Sequence, residues 1–197
     1  MKLTANGCIL IGMMALSLAA CSDKNDTSVS LSASEAASAS STSSPTNSAP
    51  VSQTLTSTDG NVSIVVNQGQ FTDQSSDAAN WVTKDESTNL TLLQRDDSNN
   101  ITLSVNSLGA PKLKADDYFK KLSSSLKANG DLNNVKVGMA TDNRMNYRFS
   151  HSSNERSLNE NCVALYGANN LYVVCASSDS ASDEQLSNTL KNISVKS

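Results

Sequence analysis

From Val51 onward, short runs rich in Val, Ile, Thr and Leu alternate apolar with polar positions, and clusters of Gly, Asn, Asp and Ser separate them. That pattern belongs to antiparallel strands joined by tight turns. It predicts strands over 53–57 and 62–66 around Asp59 and Gly60, and over 90–95 and 101–106 around 97–100. Further strands follow at 135–141, 145–150, 161–166 and 171–176. The polar connections are short, so neighbours should pair as hairpins. Two stretches change to helical spacing. Over 115–128, Tyr118, Phe119, Leu122 and Leu126 form one stripe. Asp116 and Asp117 suit the first turn, with Lys120 and Lys121 at i+4, and Asn129 and Gly130 stop the helix. Over 183–193, Ser182 and Gln185 are spaced as a capping box, and Leu186, Leu190 and Ile193 share a side. Each stripe must cover a sheet face. The expected class is α+β: an antiparallel sheet of about six to eight strands flanked by two or three helices, within one domain, 51–197.

The run from Asn161 to Ala176 permits a sharper inference. A two-residue turn on Ala168 and Asn169 sets Gly167 against Asn170, and counting outward places Cys162 opposite Cys175. With that loop length the cysteines fall at a non-hydrogen-bonded pair, where strands approach most closely and a disulfide fits. The hairpin is apolar on both sides: Ala164, Tyr166, Leu171 and Val173 lie with the cysteines, and Val163, Leu165, Tyr172 and Val174 lie opposite. Strands of this kind sit near a sheet centre. The wide spacing lacks the C-x-x-C form of a redox pair, so the bond is read as a staple.

The first fifty residues have another character. Behind Lys2, an apolar stretch from Cys8 to Leu18 leads into Leu18, Ala19, Ala20 and Cys21, a bacterial lipobox. Residues 1–20 then form a signal peptide, and Cys21 becomes the lipid-modified mature start. The stretch is too short to span a bilayer, since polar Ser22, Asp23, Lys24 and Asn25 follow at once. Segment 21–50 is dominated by Ser, Ala, Thr and Asn, without an aromatic residue, and cannot bury enough apolar surface to offset its ordering entropy. It reads as a flexible tether, about 30 Å from end to end as a coil. The expected address is the cell envelope facing the periplasm, an oxidising space in which Cys162 and Cys175 pair.

Charge and side-chain chemistry narrow the function. The formal net charge is −4, which invites neither nucleic acid nor an anionic lipid surface. His151 is the single histidine and lies in a polar stretch, so it has no partner for a metal cluster or a triad and is read as solvated. Asp96, Asp97, Ser98, Asn99 and Asn100 hold oxygen enough for calcium but lack the EF-hand glycine and glutamate, and read as a hairpin turn. A carboxylate-only enzyme would need acids such as Asp142, Glu155 and Glu160 to converge. Phe71 and Trp81 flank a polar segment; they are read first as core, with a partner surface as the alternative. The expectation is no catalytic residue, no cofactor and no metal.

With the lipobox at Leu18 to Cys21, the polar tether, the initial strand at Gly60 to Val66 followed by Phe71, Thr72, Asp73, Gln74 and Ser75, and the order of the later elements, the chain resembles the DcrB-like bacterial lipoproteins, whose domain is similar to Mog1 and PsbP. The likeness covers most of the chain through weak, non-catalytic motifs. It implies a curved antiparallel sheet flanked by helices in an α/β sandwich, no known catalytic activity, and an envelope role linked to phage infection and to lipoprotein or envelope homeostasis. It supplies no binding residues, and since its members often carry Asp after the lipidated cysteine, Ser22 in that place implies the outer membrane, with the inner membrane as the alternative that Asp23 leaves open. The expected function is a lipid-anchored, non-enzymatic envelope protein that binds an unidentified protein partner, in an unknown oligomeric state. The alternative is an inhibitor or immunity lipoprotein acting on a hydrolase such as lysozyme.

Overall fold

The computed structural model describes residues 52–81, 87–153 and 156–196. Among them, β1 (Gln53–Thr56), β2 (Val62–Val66) and β10 (Asn192–Val195) form a three-stranded antiparallel sheet in the order β1-β2-β10. A seven-stranded antiparallel sheet contains β3 (Thr72–Asp73), β4 (Leu90–Asp96), β5 (Ile101–Gly109), β6 (Asn133–Val137), β7 (Arg144–Ser153), β8 (Arg156–Tyr166) and β9 (Leu171–Ser178). Their order is β3-β4-β5-β9-β8-β7-β6. Two α-helices, α1 (Ala115–Ala128) and α2 (Asp183–Thr189), complete the α+β fold, with a 3₁₀ turn at Ser75–Asn80.

The large sheet is open and uncurled. Local irregularities lie near strand ends, at Leu90/Leu92, Ser107/Gly109 and Asn133/Lys136, where bulges bend one strand and leave the middle of the ladder regular. Its centre is the β8–β9 hairpin, and both faces are covered. On one, Val163, Leu165, Tyr172 and Val174 pack with Val62, Ile64 and Val66 of the small sheet and with Leu186 and Leu190 around α2. On the other, Cys162 and Ala164 pack with Met145, Tyr147 and Phe149 of β7 and with Phe119 and Leu126 of α1. The period-two alternation of the hairpin thus supplies two separate cores.

The register is the one counted from the turn: Cys162 stands opposite Cys175, the two are disulfide-bonded, and their Cα atoms are 4.2 Å apart. Helix α1 spans the expected residues and ends at Asn129, but Asp116 and Asp117 form no ion pair with Lys120 and Lys121, which project from the exposed side. The capping box at α2 is complete: the Gln185 amide donates to Ser182 Oγ (3.3 Å) and the Ser182 amide to Gln185 Oε1 (2.9 Å).

Helix α2 is shorter than expected. It ends at Thr189, and Ile193, read as its last apolar position, belongs to β10 opposite Ile64. Ile193 and Val195 are half-buried while Asn192 and Ser194 are exposed, an alternation that the spacing of Leu186, Leu190 and Ile193 masks. Strand β6 also starts earlier and stops at Val137. The chain bends at Asn134, whose φ is +54°, and turns back so that the Gly138 amide donates to the Asn146 carbonyl (2.8 Å).

Candidate functional site

Strand β7 carries polar residues on the face opposite Met145, Tyr147 and Phe149, so Arg144, Asn146 and Arg148 project in one row toward α2. Beside this row, between β6, β7, β8 and α2, lies a groove of about 400 Å³. Lys136, Arg144, Arg148 and Lys191 line it together with Asn146, Asn161, Ser187 and Leu190, and among the described residues no acidic one does. A second hollow of about 200 Å³ continues it, sharing Lys136 and Arg148 and adding Asp183 and Asn159.

The cations differ in how they are satisfied. Arg148 pairs with Asp183 at the start of α2, where a carboxylate also complements the helix dipole. Half-buried Arg144 meets only neutral acceptors: Nε donates to Asn146 Oδ1 (2.9 Å) and Nη2 to the Leu190 carbonyl (3.1 Å). Burial pushes its pKa below the ordinary value, the direction expected of a cation that lacks a counter-charge, yet a guanidinium stays protonated. Lys136 and Lys191 are exposed at the rim. At the floor, Asn161 is 5% exposed; its Nδ2 donates to the Asp183 carbonyl (3.0 Å) and Ser187 Oγ (2.9 Å), while its Oδ1 is buried with no hydrogen-bond partner. A buried unpaired acceptor is uncommon and costly.

A different cluster occupies the other face. His151 and Glu160 are both buried, not solvated, and His151 Nε2 lies 2.9 Å from Glu160 Oε1. The polar run around His151 masks its placement: β7 continues to Ser153, and alternation carries residue 151 to the inner side beyond Tyr147 and Phe149, with the Phe149 and His151 rings 6.2 Å apart. The Glu160 carboxylate and the sulfurs of Cys162 and Cys175 lie within 4.8 Å of one another, but the sulfurs are bonded together and offer no thiolate ligand. Burial pushes the Tyr147 hydroxyl pKa far up, with Tyr118 and Glu160 adding to the shift.

The remaining sequence candidates are dispersed. Asp142 is exposed in the β6–β7 connection, ahead of Arg144 where the β7–β8 ladder begins, and Glu160 pairs with Phe149 five ladder positions past Arg144, roughly 17 Å along the strand, so the two acids do not converge. Glu155 lies outside the described residues, as do Cys21, the signal peptide 1–20 and the tether, Ser22 included. Phe71 is buried in the core with Leu55 and Ile101 and is closed to a partner. Trp81 is half-buried on the sheet edge beneath the Arg95 guanidinium, 5.2 Å from the ring centre. The run from Asp97 to Asn100 is a hairpin turn, and Asp96 is committed within it, accepting from the Ser98 and Asn99 amides and from Asn99 Nδ2. Sequence reading missed the groove. Its one signal was the alternation of Arg144, Asn146 and Arg148 at and just before the start of the strand expected at 145–150.

Set against protein-family models and curated protein sequences, the chain matches none. Among the described residues no helix is long and apolar enough to cross a membrane.

Proposed function

We propose that the chain is a lipid-anchored protein of the bacterial envelope, of the DcrB-like kind, whose folded part is a non-enzymatic module that binds a protein partner from the end of a flexible tether. The anchor rests on Leu18, Ala19, Ala20 and Cys21 and the polar tract after them. Binding in preference to catalysis rests on one observation: the groove wall holds four cations and amide side chains. Those groups hold and orient an anion, the role for which a planar guanidinium and a flexible ammonium are suited.

Two measurements test the reading. Mass spectrometry of the mature protein should find residue 21 acylated as the first residue, and an unmodified start elsewhere would refute the anchor. A photo-crosslinker at Lys191, on the groove rim, should trap one envelope protein in intact cells where the same probe at Lys121, on α1, does not. Equal labelling from both sites, or none, would refute binding at the groove.

A further inference from the structure

The groove is cationic in a chain that is acidic overall, and Arg144 sits half-buried in it with only carbonyl acceptors. We infer that it receives an acidic, extended segment of the partner, with carboxylates meeting Arg144 and Lys191 at one end and Lys136 at the other. The inference rests on the partner-binding reading above and adds the chemistry of what is bound.

Three observations carry it. The first is the missing counter-charge: Arg148 has Asp183, while among the described residues no carboxylate lines the groove beside Arg144. The second is Asn161 Oδ1, a buried acceptor without a donor at the groove floor, suited to a backbone N–H of a bound chain after a small opening at Ser187. The third is spacing. Arg144 and Arg148 are four residues apart on one strand, about 13 Å, and Lys136 is the ladder partner of Arg148. A single phosphate cannot reach both ends, whereas acidic side chains at alternate positions of an extended peptide recur every ~7 Å. Lys136 alone could be read as a lysine that protects the edge strand β6 from pairing. Arg144 and Lys191 are not on that edge, so edge protection does not explain the cluster.

The test uses the purified full chain and hexaglutamate, with hexaglutamine, inorganic phosphate and phosphatidylglycerol vesicles as the other probes, followed by calorimetry and amide NMR shifts. Hexaglutamate should bind saturably, weaken as salt rises, and shift resonances of β7 and the Lys191 region. R144Q should weaken it about tenfold, the loss expected for one charge-assisted contact, while K121Q, which removes the same charge on the opposite face, should not. Should R144Q fail to fold, K191Q at the exposed rim carries the comparison. Equal weakening by K121Q, equal binding of phosphate or hexaglutamine, binding of vesicles alone, or no binding of hexaglutamate would each overturn the inference. If the Lys191 crosslink in cells persists while hexaglutamate does not bind, the acidic chemistry fails and partner binding stands; if both are absent, both fail.

Discussion

Replacing Gly69 with alanine should be among the most damaging single-methyl changes in the described chain. Gly69 has φ +93°, and a Cβ there would lie 2.0 Å from Asp96 Oδ2 and 3.1 Å from Asp96 Cγ. Neither partner yields easily. An L-residue held at such a φ costs about 1–3 kcal/mol. Asp96 is 1% exposed, and its carboxylate holds the Ser98 and Asn99 amides and Asn99 Nδ2 at 3.1, 3.2 and 2.7 Å. Displacing it by the required ångström loses at least one charge-assisted hydrogen bond, about 1.5–3 kcal/mol. The total is about 3–5 kcal/mol, and with a urea slope of ~1–3 kcal/mol/M the unfolding midpoint should fall by about 2 M. A double-mutant cycle isolates the contact: once Asp96→Ala has removed the carboxylate, Gly69→Ala should cost only its backbone strain, so the two changes are less than additive by about 1.5–3 kcal/mol. A midpoint drop below about 0.5 M for Gly69→Ala, or additivity in the cycle, would refute the reasoning.

Two further outcomes follow from the buried and bridging polar groups. Glu160→Leu deprives buried His151 of its carboxylate partner and should cost about 2 kcal/mol in urea unfolding, whereas His151→Leu together with Glu160→Leu should cost less than the sum of the two single changes; a full sum would remove the pair as a coupled unit. Burial pushes the Asp59 carboxyl upward, but hydrogen bonds from Ser57 (2.6 Å), Tyr172 (2.8 Å) and Asn61 outweigh it and hold the pKa below its ordinary 3.8. A depressed folded-state pKa stabilises above the unfolded value and is lost as pH falls through the folded one, so Asp59→Asn should flatten the decline in stability between about pH 5 and pH 2. An unchanged decline would count against that linkage.

The readable parts of the fold were those where local pattern and tertiary contact agree. The β8–β9 hairpin is apolar on both sides and sits at the centre of the large sheet, and its turn sets the partner of Cys162 by counting. The cap at Ser182 is local chemistry and needs no tertiary knowledge. Pattern misled where one residue satisfies two periodicities: Ile193 fits the α2 stripe and also the alternation of β10, and only its pairing with Ile64 decides between them. His151 misled for the opposite reason, since its neighbours are polar while its own side is inward. The groove was not readable as a site because Lys136, Arg148 and Lys191 come from β6, β7 and the link between α2 and β10 and are unremarkable in each; only register and the docking of α2 bring them together.

Strand β10 pairs with β2, Ile193 against Ile64, across almost the entire folded sequence. The small sheet therefore cannot close, nor the core beneath it fill, until the last strand has been synthesised, and such distant pairing is slow to form. On the proposed export route, this topology would act as a timer: the small sheet would lock only after β10 had crossed the membrane.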